Sequence, residues 1–406
     1  MKTKSRRSVE TAFAGCELSA PADDPYETLL LRLKQEFVPL SVQWELTHKC
    51  NLDCIMCYNV PLGKPELTTS ECFDVLDQLA SAGTLYLTLT GGEILSRRDL
   101  FEIGQRARSL GFSIDLKTNG TLITPDKADE IASLDPLRVD ISLLGATDKT
   151  FDAIARSKNT LQRVVRGVKL LQERNVRVKL NTLLMDLNLL EREQMIDLVL
   201  ELGLEYEQVF KISLADDGAD KAGVHQLSRS QMANVFEADN TPFQERTVEP
   251  TSRTCSVSLS SCLISPYGEV FPCIELRIPA GNLRVAPFAT IWADGGIFRQ
   301  LRSRHTMKNL PDCWVCPINR YCEGRCSGLA LKEHGDLYGG QLLACQQAQA
   351  RFASIFPNEP IPVTPLQTRL QGALVDLSRP STGQPIPLLD SATVRPTVLW
   401  DTNVPA

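Results

Sequence analysis

The residues best suited to chemistry come early, in Trp44-Glu45-Leu46-Thr47-His48-Lys49-Cys50-Asn51-Leu52-Asp53-Cys54-Ile55-Met56-Cys57-Tyr58. Three residues and then two separate the thiols of Cys50, Cys54 and Cys57. Thiolates packed this closely can bind one soft metal centre. Three is also one fewer than the four that close a tetrahedral zinc site or a four-iron cube. A cube held by these three leaves one iron for a ligand from outside the chain. The alternatives are a partial zinc site or three unrelated buried cysteines.

A second cysteine group follows, as Cys255-x6-Cys262-x10-Cys273, then Cys313-x2-Cys316-x5-Cys322-x3-Cys326, then Cys345. Eight thiolates suffice for two closed four-ligand centres, iron–sulfur or zinc, since C-x2-C pairs are also common zinc knuckles. Gly268, five residues before Cys273, suits a hairpin turn that returns the chain to the metal. The basic start, Met1-Lys2-Thr3-Lys4-Ser5-Arg6-Arg7, is not followed by a signal-type apolar core. No apolar run reaches the roughly 20 residues that span a bilayer. A cytoplasmic chain without membrane contact is expected, and thirteen cysteines there point to metal rather than disulfides. The net charge of −6 argues against a general nucleic-acid binder.

The elements around the first cysteines alternate. A short amphipathic helix over Tyr26–Phe37 precedes them. Strands are expected at Ser41–Thr47, Thr84–Thr90, Phe112–Thr118, Leu137–Leu143, Val176–Leu184 and Tyr206–Ser213. Helices lie between them: one capped by Thr68 and Glu71, one from Asp99 to Gly111, and one opened by Thr124-Pro125. Two more are expected over about 148–174 and 190–202. Six such units make an α/β fold with a parallel sheet and helices outside it. The pattern leaves a partial barrel and a flat doubly wound sheet both open. Three motifs fall just after strands: the cysteines, Gly91-Gly92-Glu93, and Asn119-Gly120. The loops after the strands are where barrels of this type do chemistry. Residues 1–25 and the proline-rich 357–406 read as poorly ordered segments.

The C-x3-C-x2-C pattern resembles the radical S-adenosylmethionine (SAM) enzymes. The resemblance implies a partial (β/α)6 TIM-like barrel and a [4Fe–4S] cluster whose open iron is chelated by SAM. Reductive cleavage of SAM would then release a 5′-deoxyadenosyl radical. Gly91, Gly92 and Glu93 match the family's loop for the SAM amino group, although Ile94 stands where proline usually follows. Asn119 and Ser142 match its polar cofactor contacts, Arg156 its arginine for the SAM carboxylate, and Met56 the position packed on the adenine.

The later cysteines resemble the SPASM extension of peptide maturases, which holds two auxiliary [4Fe–4S] clusters. By that resemblance Cys255, Cys262, Cys273 and Cys326 hold the first, and Cys313, Cys316, Cys322 and Cys345 the second. The implied boundaries are a segment over 1–37, a core over 38–250, an auxiliary domain over 251–356 and a tail over 357–406. The implied activity is modification of a ribosomally made precursor peptide, with crosslinking favoured and a flavodoxin- or ferredoxin-like electron donor. Ile274, where sulfatase-maturing relatives carry an aspartate, argues against formylglycine formation. No winged-helix peptide-recognition domain precedes residue 40, so a separate protein presents the leader peptide or recognition is direct. The reading from another class is an electron-transfer or zinc-binding interaction module that never cleaves SAM.

Overall fold

The computed structural model describes residues 25–239 and 245–370. The polar start and the last part of the proline-rich segment, 371–406, lie outside the described residues.

Strand β1 (Ser41–Thr47) sets the frame. Its alternation sends Val42, Trp44 and Leu46 into the apolar core, while Glu45 lies on the opposite face. The core units continue as α2 (Thr69–Ser81), β2 (Tyr86–Gly91), α3 (Leu100–Ser109), β3 (Ser113–Thr118), α4 (Pro125–Ser133) and β4 (Arg138–Ser142), after a leading α1 (Pro25–Gln35). They are followed by α5 (Asp148–Ala155), α6 (Thr160–Gln172), β5 (Val178–Leu183), α7 (Arg192–Leu202) and β6 (Glu205–Val209). All six strands pair in parallel in the order β6-β5-β4-β3-β2-β1. The expected caps form: Thr68 and Glu71 make a reciprocal box, and Thr124 accepts from the Lys127 N–H ahead of Pro125. The single helical stretch expected over 148–174 is two helices. Arg156 and Asn159 turn left-handed (φ +50° and +52°), and Asp152 takes the N–H groups of Asn159 and Thr160 at 2.8 and 2.9 Å. That carboxylate starts α6 afresh.

The sheet does not stop at β1. Strand β7 (Ser261–Ile264) pairs with β1 in parallel, from Ser41↔Ser261 to Trp44↔Ile264. Antiparallel β8 (Glu269–Phe271) and β9 (Gly281–Asn282) follow, with Gly268 at φ +84° in the turn. Four residues are too short a run to read as a strand in the sequence, so this seventh parallel strand was not expected. The cysteine-rich part is therefore hydrogen-bonded into the core sheet. It continues with α9 (Phe288–Asp294), α10 (Gly296–Arg304), α11 (Pro311–Trp314), α12 (Ser327–His334) and α13 (Leu342–Ile355). Helix α13 packs back on α8 (Arg229–Asp239), where the Arg351 guanidinium lies 4.7 Å from the Phe236 ring centroid.

The chain past 356 departs from the flexible tail expected there. A capping box on Thr364 and Gln367 opens α14 (Pro365–Arg369), Leu366 is fully buried, and Arg369 pairs with Asp312 at 2.7 Å. Proline at the first helical position stabilises a helix start, so proline content alone misread this stretch.

Candidate active site and cluster-binding cysteines

The loop after β1 carries Cys50, Cys54 and Cys57. The Cys57 N–H donates to the Cys54 carbonyl at 3.0 Å, and the Ile55 N–H donates to the Ile154 carbonyl of α5 at 3.0 Å. Met56 packs partly buried against the barrel core. Burial, and then Cys57 and Cys50, push the Cys54 thiol up to about 12; Cys50 and Cys57 are also raised, chiefly by burial. Such thiols ionise when a metal cation sits beside them. The three thiols act electrostatically on one another, and three protein sulfurs fit a cube with one iron left over.

Gly91 and Gly92 serve the protein's own packing. A Cβ on Gly91 (φ +137°) would stand 2.2 Å from the Thr47 carbonyl oxygen, and one on Gly92 would stand 2.3 Å from that of Lys49. The Gly92 and Glu93 N–H groups donate to those two carbonyls at 2.7 and 2.8 Å. The glycines thus let the start of the cysteine loop lie on the end of β2. Glu93 is fully buried. Its Oε1 accepts from the Leu95 N–H and the Thr118 hydroxyl, and its Oε2 from the Asn119 N–H at 2.7 Å. Burial pushes its carboxyl above the usual range against those hydrogen bonds. In this structure Glu93 ties the end of β2 to the end of β3.

Asn119 reaches the cysteine loop directly. Its Nδ2 lies 3.0 Å from Asn51 Oδ1 and 3.8 Å from Cys50 Sγ. Ser142 ends β4, paired in register with Asn181. Arg156 donates to Asp53, between Cys50 and Cys54, at 3.0 Å, and both side chains are exposed. Strand ends thus gather the cysteines, Gly91, Gly92, Glu93, Asn119 and Ser142 at one rim of the sheet, and Arg156 joins them from the end of α5.

Sequence reading missed the buried charges beneath this rim. Glu45 on β1 takes both arms of Arg277, at 2.6 and 2.8 Å, and the His48 ring at 3.2 Å. Asp216, beyond β6, lies 3.2 Å from Arg277 Nε, and its N–H donates to the Tyr58 carbonyl at 2.8 Å. Glu275 pairs with Lys211 at 2.9 Å and lies 3.6 Å from Lys332. The one available signal was Glu45 itself, a charge between the apolar Trp44 and Leu46.

The later cysteines fall into groups. Cys313, Cys316, Cys322 and Cys345 line one cavity of about 530 Å³, with Thr364 at its wall. Among the described residues no three His, Cys, Asp or Glu side chains close around a single ion. Four thiols around a cavity of that size fit a multi-atom cluster. Cys255, Cys273 and Cys326 form a second group, in which burial and the neighbouring sulfurs push Cys255 up to about 12 and Cys273 to about 11. Cys262 is not in it. It sits on β7 beside Val42, with Arg302 as its charged neighbour.

Comparison with known proteins fits this geometry. Residues 44–199 match the radical SAM superfamily, and residues 255–317 match the SPASM iron-sulfur cluster-binding domain. An AdoMet-dependent heme synthase of Methanosarcina barkeri is 30% identical over 73% of this chain and 94% of its own length. The chain belongs to the radical SAM superfamily. This radical SAM protein is also similar to the mycofactocin maturase MftC of Mycobacterium tuberculosis, 28% identical over 71% of the chain and 78% of the relative. Its fold is that of Streptococcus suis SuiB bound to its precursor peptide SuiA. The TM-score is 0.60 at 16% identity, covering 80% of this chain and 82% of the other. The partial barrel of six parallel strands with a cysteine-rich SPASM region is thereby established. So is the cofactor set: SAM, its [4Fe–4S] cluster and SPASM auxiliary clusters. Among the described residues no helix is long and apolar enough to cross a membrane.

Proposed function

We propose that this radical SAM enzyme oxidises a C–H position of a ribosomally made precursor peptide, with crosslink formation as the outcome. The observation that carries the oxidative part is the Arg277–Glu45 pair, which joins the segment after Cys273 to the strand that leads into Cys50. The SAM site and an auxiliary site therefore share one rigid unit. When bound, SAM and its cluster supply a 5′-deoxyadenosyl radical; an auxiliary cluster can take the electron that the substrate then gives up. The chain's own residues orient the site: Asn119 and Arg156 reach the cysteine loop, and Glu93 fixes the rim. Support for a peptide comes from the MftC relative and the peptide-bound SuiB structure. A flavodoxin- or ferredoxin-like donor supplies electrons, and a separate protein or the enzyme itself recognises the leader.

A second reading, chemistry on a heme precursor, rests on the match to heme synthase along 94% of that relative. One anaerobic experiment separates them. Protein, SAM and reductant are incubated with peptides encoded beside the gene or with a heme precursor, and products are read by mass spectrometry. Loss of two hydrogens from a peptide, together with 5′-deoxyadenosine, is the expected result. Turnover of the heme precursor alone would overturn the peptide reading, and absence of 5′-deoxyadenosine under every condition would overturn both.

A further inference from the structure

Arg325 stands between Cys322 of one late cysteine group and Cys326 of the other. It is 4% exposed, and among the described residues no carboxylate lies within ion-pair distance of it. Asp336, the acid that acts on it from farther off, is engaged elsewhere. That carboxylate accepts the Tyr338 N–H at 2.9 Å and lies 3.8 Å from Arg369. A guanidinium keeps its charge in any protein environment. A buried charge without partners is costly, so this one calls for anions that the side chains around it do not supply.

Its donors go to neutral groups. Nη2 donates to the Leu337 carbonyl at 2.6 Å, and Nη1 to the Ser327 hydroxyl at 3.3 Å. Nε is buried and has no hydrogen-bond partner among the described residues. Burial lowers the guanidinium, and the sulfurs of Cys313, Cys255 and Cys326 oppose that ahead of Asp336. Cys313 belongs to one auxiliary group, Cys255 and Cys326 to the other.

Arg325 touches both groups through different routes. On one side it lines the cavity of Cys313, Cys316, Cys322 and Cys345. On the other the contact passes through Ser327. That hydroxyl accepts from Arg325, so its own hydrogen goes to His305 Nε2, 2.6 Å away. Nδ1 is then the ring's N–H, and it lies 4.0 Å from Cys255 Sγ. A fixed positive charge beside an iron–sulfur cluster favours the reduced form, which carries one more electron.

We propose that Arg325 is a positioning residue shared by the two auxiliary clusters: one buried cation that offsets the negative charge of both and raises both reduction potentials. The clusters are in turn the anions that let this guanidinium stay buried. An electron arriving at either cluster is stabilised by the same charge. This rests on the cofactor set and is independent of whether the substrate is a peptide or a heme precursor.

The test uses the full-length chain carrying C50A/C54A/C57A, reconstituted anaerobically, so that the two auxiliary clusters remain, about eight irons in all. Their midpoint potentials are read by redox titration followed by electron paramagnetic resonance. R325M in this background should lower both midpoints by a tenfold change in the reduction equilibrium, about 59 mV for one electron. R325K keeps the charge and should stay close to the parent chain. Unchanged midpoints in R325M, a shift of one midpoint alone, or an equal drop in R325K overturns the proposal. If R325M does not hold its clusters, the iron content of R325K decides. About eight irons there would show that the charge is what the clusters need. Loss of iron there too would show a packing role and overturn the proposal. A wild type with no iron–sulfur clusters would be a different failure, that of the cofactor assignment itself.

Discussion

Glu45 and Arg277, 232 positions apart, face each other through two hydrogen bonds of 2.6 and 2.8 Å. Glu45 is fully buried, and burial alone would raise its carboxyl; His48 and Arg277 outweigh that and hold it below the usual range. Removing one member of such a pair leaves an uncompensated buried charge, which costs about 3–5 kcal/mol. R277A is therefore expected to lower stability by that amount in anaerobic denaturant titration. R277K keeps the charge and loses the fork, so it should fall between wild type and R277A. E45L/R277M removes both charges of the pair but leaves Asp216 without its cation, so it should recover only part of the loss.

Gly92 and Glu93 should fail in different ways. A methyl at position 92 has no room beside the Lys49 carbonyl, so G92A must displace the cysteine loop. About four irons per chain should be lost, those of the SAM-binding cluster. E93Q keeps the shape but sets an amide donor toward one of three donors now satisfied by the carboxylate. An unsatisfied buried donor costs about 1–3 kcal/mol, so E93Q should retain its iron and lose stability within that range.

Much of this was legible in the sequence because local signals and the global fold agree. Thr68 with Glu71, Thr124 with Pro125 and the alternation through Trp44 each mark an element, and the structure places those elements as expected. The placement of Cys262 was not legible. Its spacing suits a ligand, and only pairing of β7 with β1, more than 200 residues earlier, decides which face it takes. Arg277 was hidden for the same reason, since its partner lies far away in sequence. Residues 357–370 were misread because composition carries no record of the groups that Leu366 and Arg369 dock against.

Arg156 and Asp53 form an exposed pair, which is worth under about 1 kcal/mol to the fold. Neither R156A nor D53A should change stability measurably. The proposed contact of Arg156 with the SAM carboxylate predicts a different split for binding. R156A should weaken SAM binding about tenfold, a loss near 1.4 kcal/mol, while D53A should leave it nearly unchanged. Equal effects of the two substitutions would show that the arginine serves only its partner.

Glu333, on α12, accepts the Leu342 N–H that opens α13, at 2.8 Å. Burial raises its carboxyl to about 7, with that hydrogen bond opposing. The folded protein therefore holds this proton more tightly than the unfolded chain. The associated stability is complete below the ordinary carboxylate range and is lost as pH rises through about 7. The loss is at most roughly 3 kcal/mol, since each unit is worth about 1.4. E333Q should flatten the stability profile between pH 5 and pH 8, measured as the denaturant midpoint against pH relative to wild type.

The segment after α13 borders the cavity proposed to hold the second auxiliary cluster. Thr364 lines the cavity of Cys313, Cys316, Cys322 and Cys345, and Gln367 bonds to Gln349 of α13 at 2.9 Å. Arg369 holds the Asp312 carboxylate, which in turn accepts the Gly340 N–H at 2.9 Å. Two truncations make the argument measurable. A chain ending at 370 keeps every one of these contacts and should bind about twelve irons, as wild type does. A chain ending at 356 loses Thr364, Leu366 and Arg369 together. It should bind about eight, the missing four being those of the cluster nearest Cys345, and T364A alone should lie close to wild type. Equal iron in both truncated chains would mean that α14 caps the cavity without helping to retain what it holds.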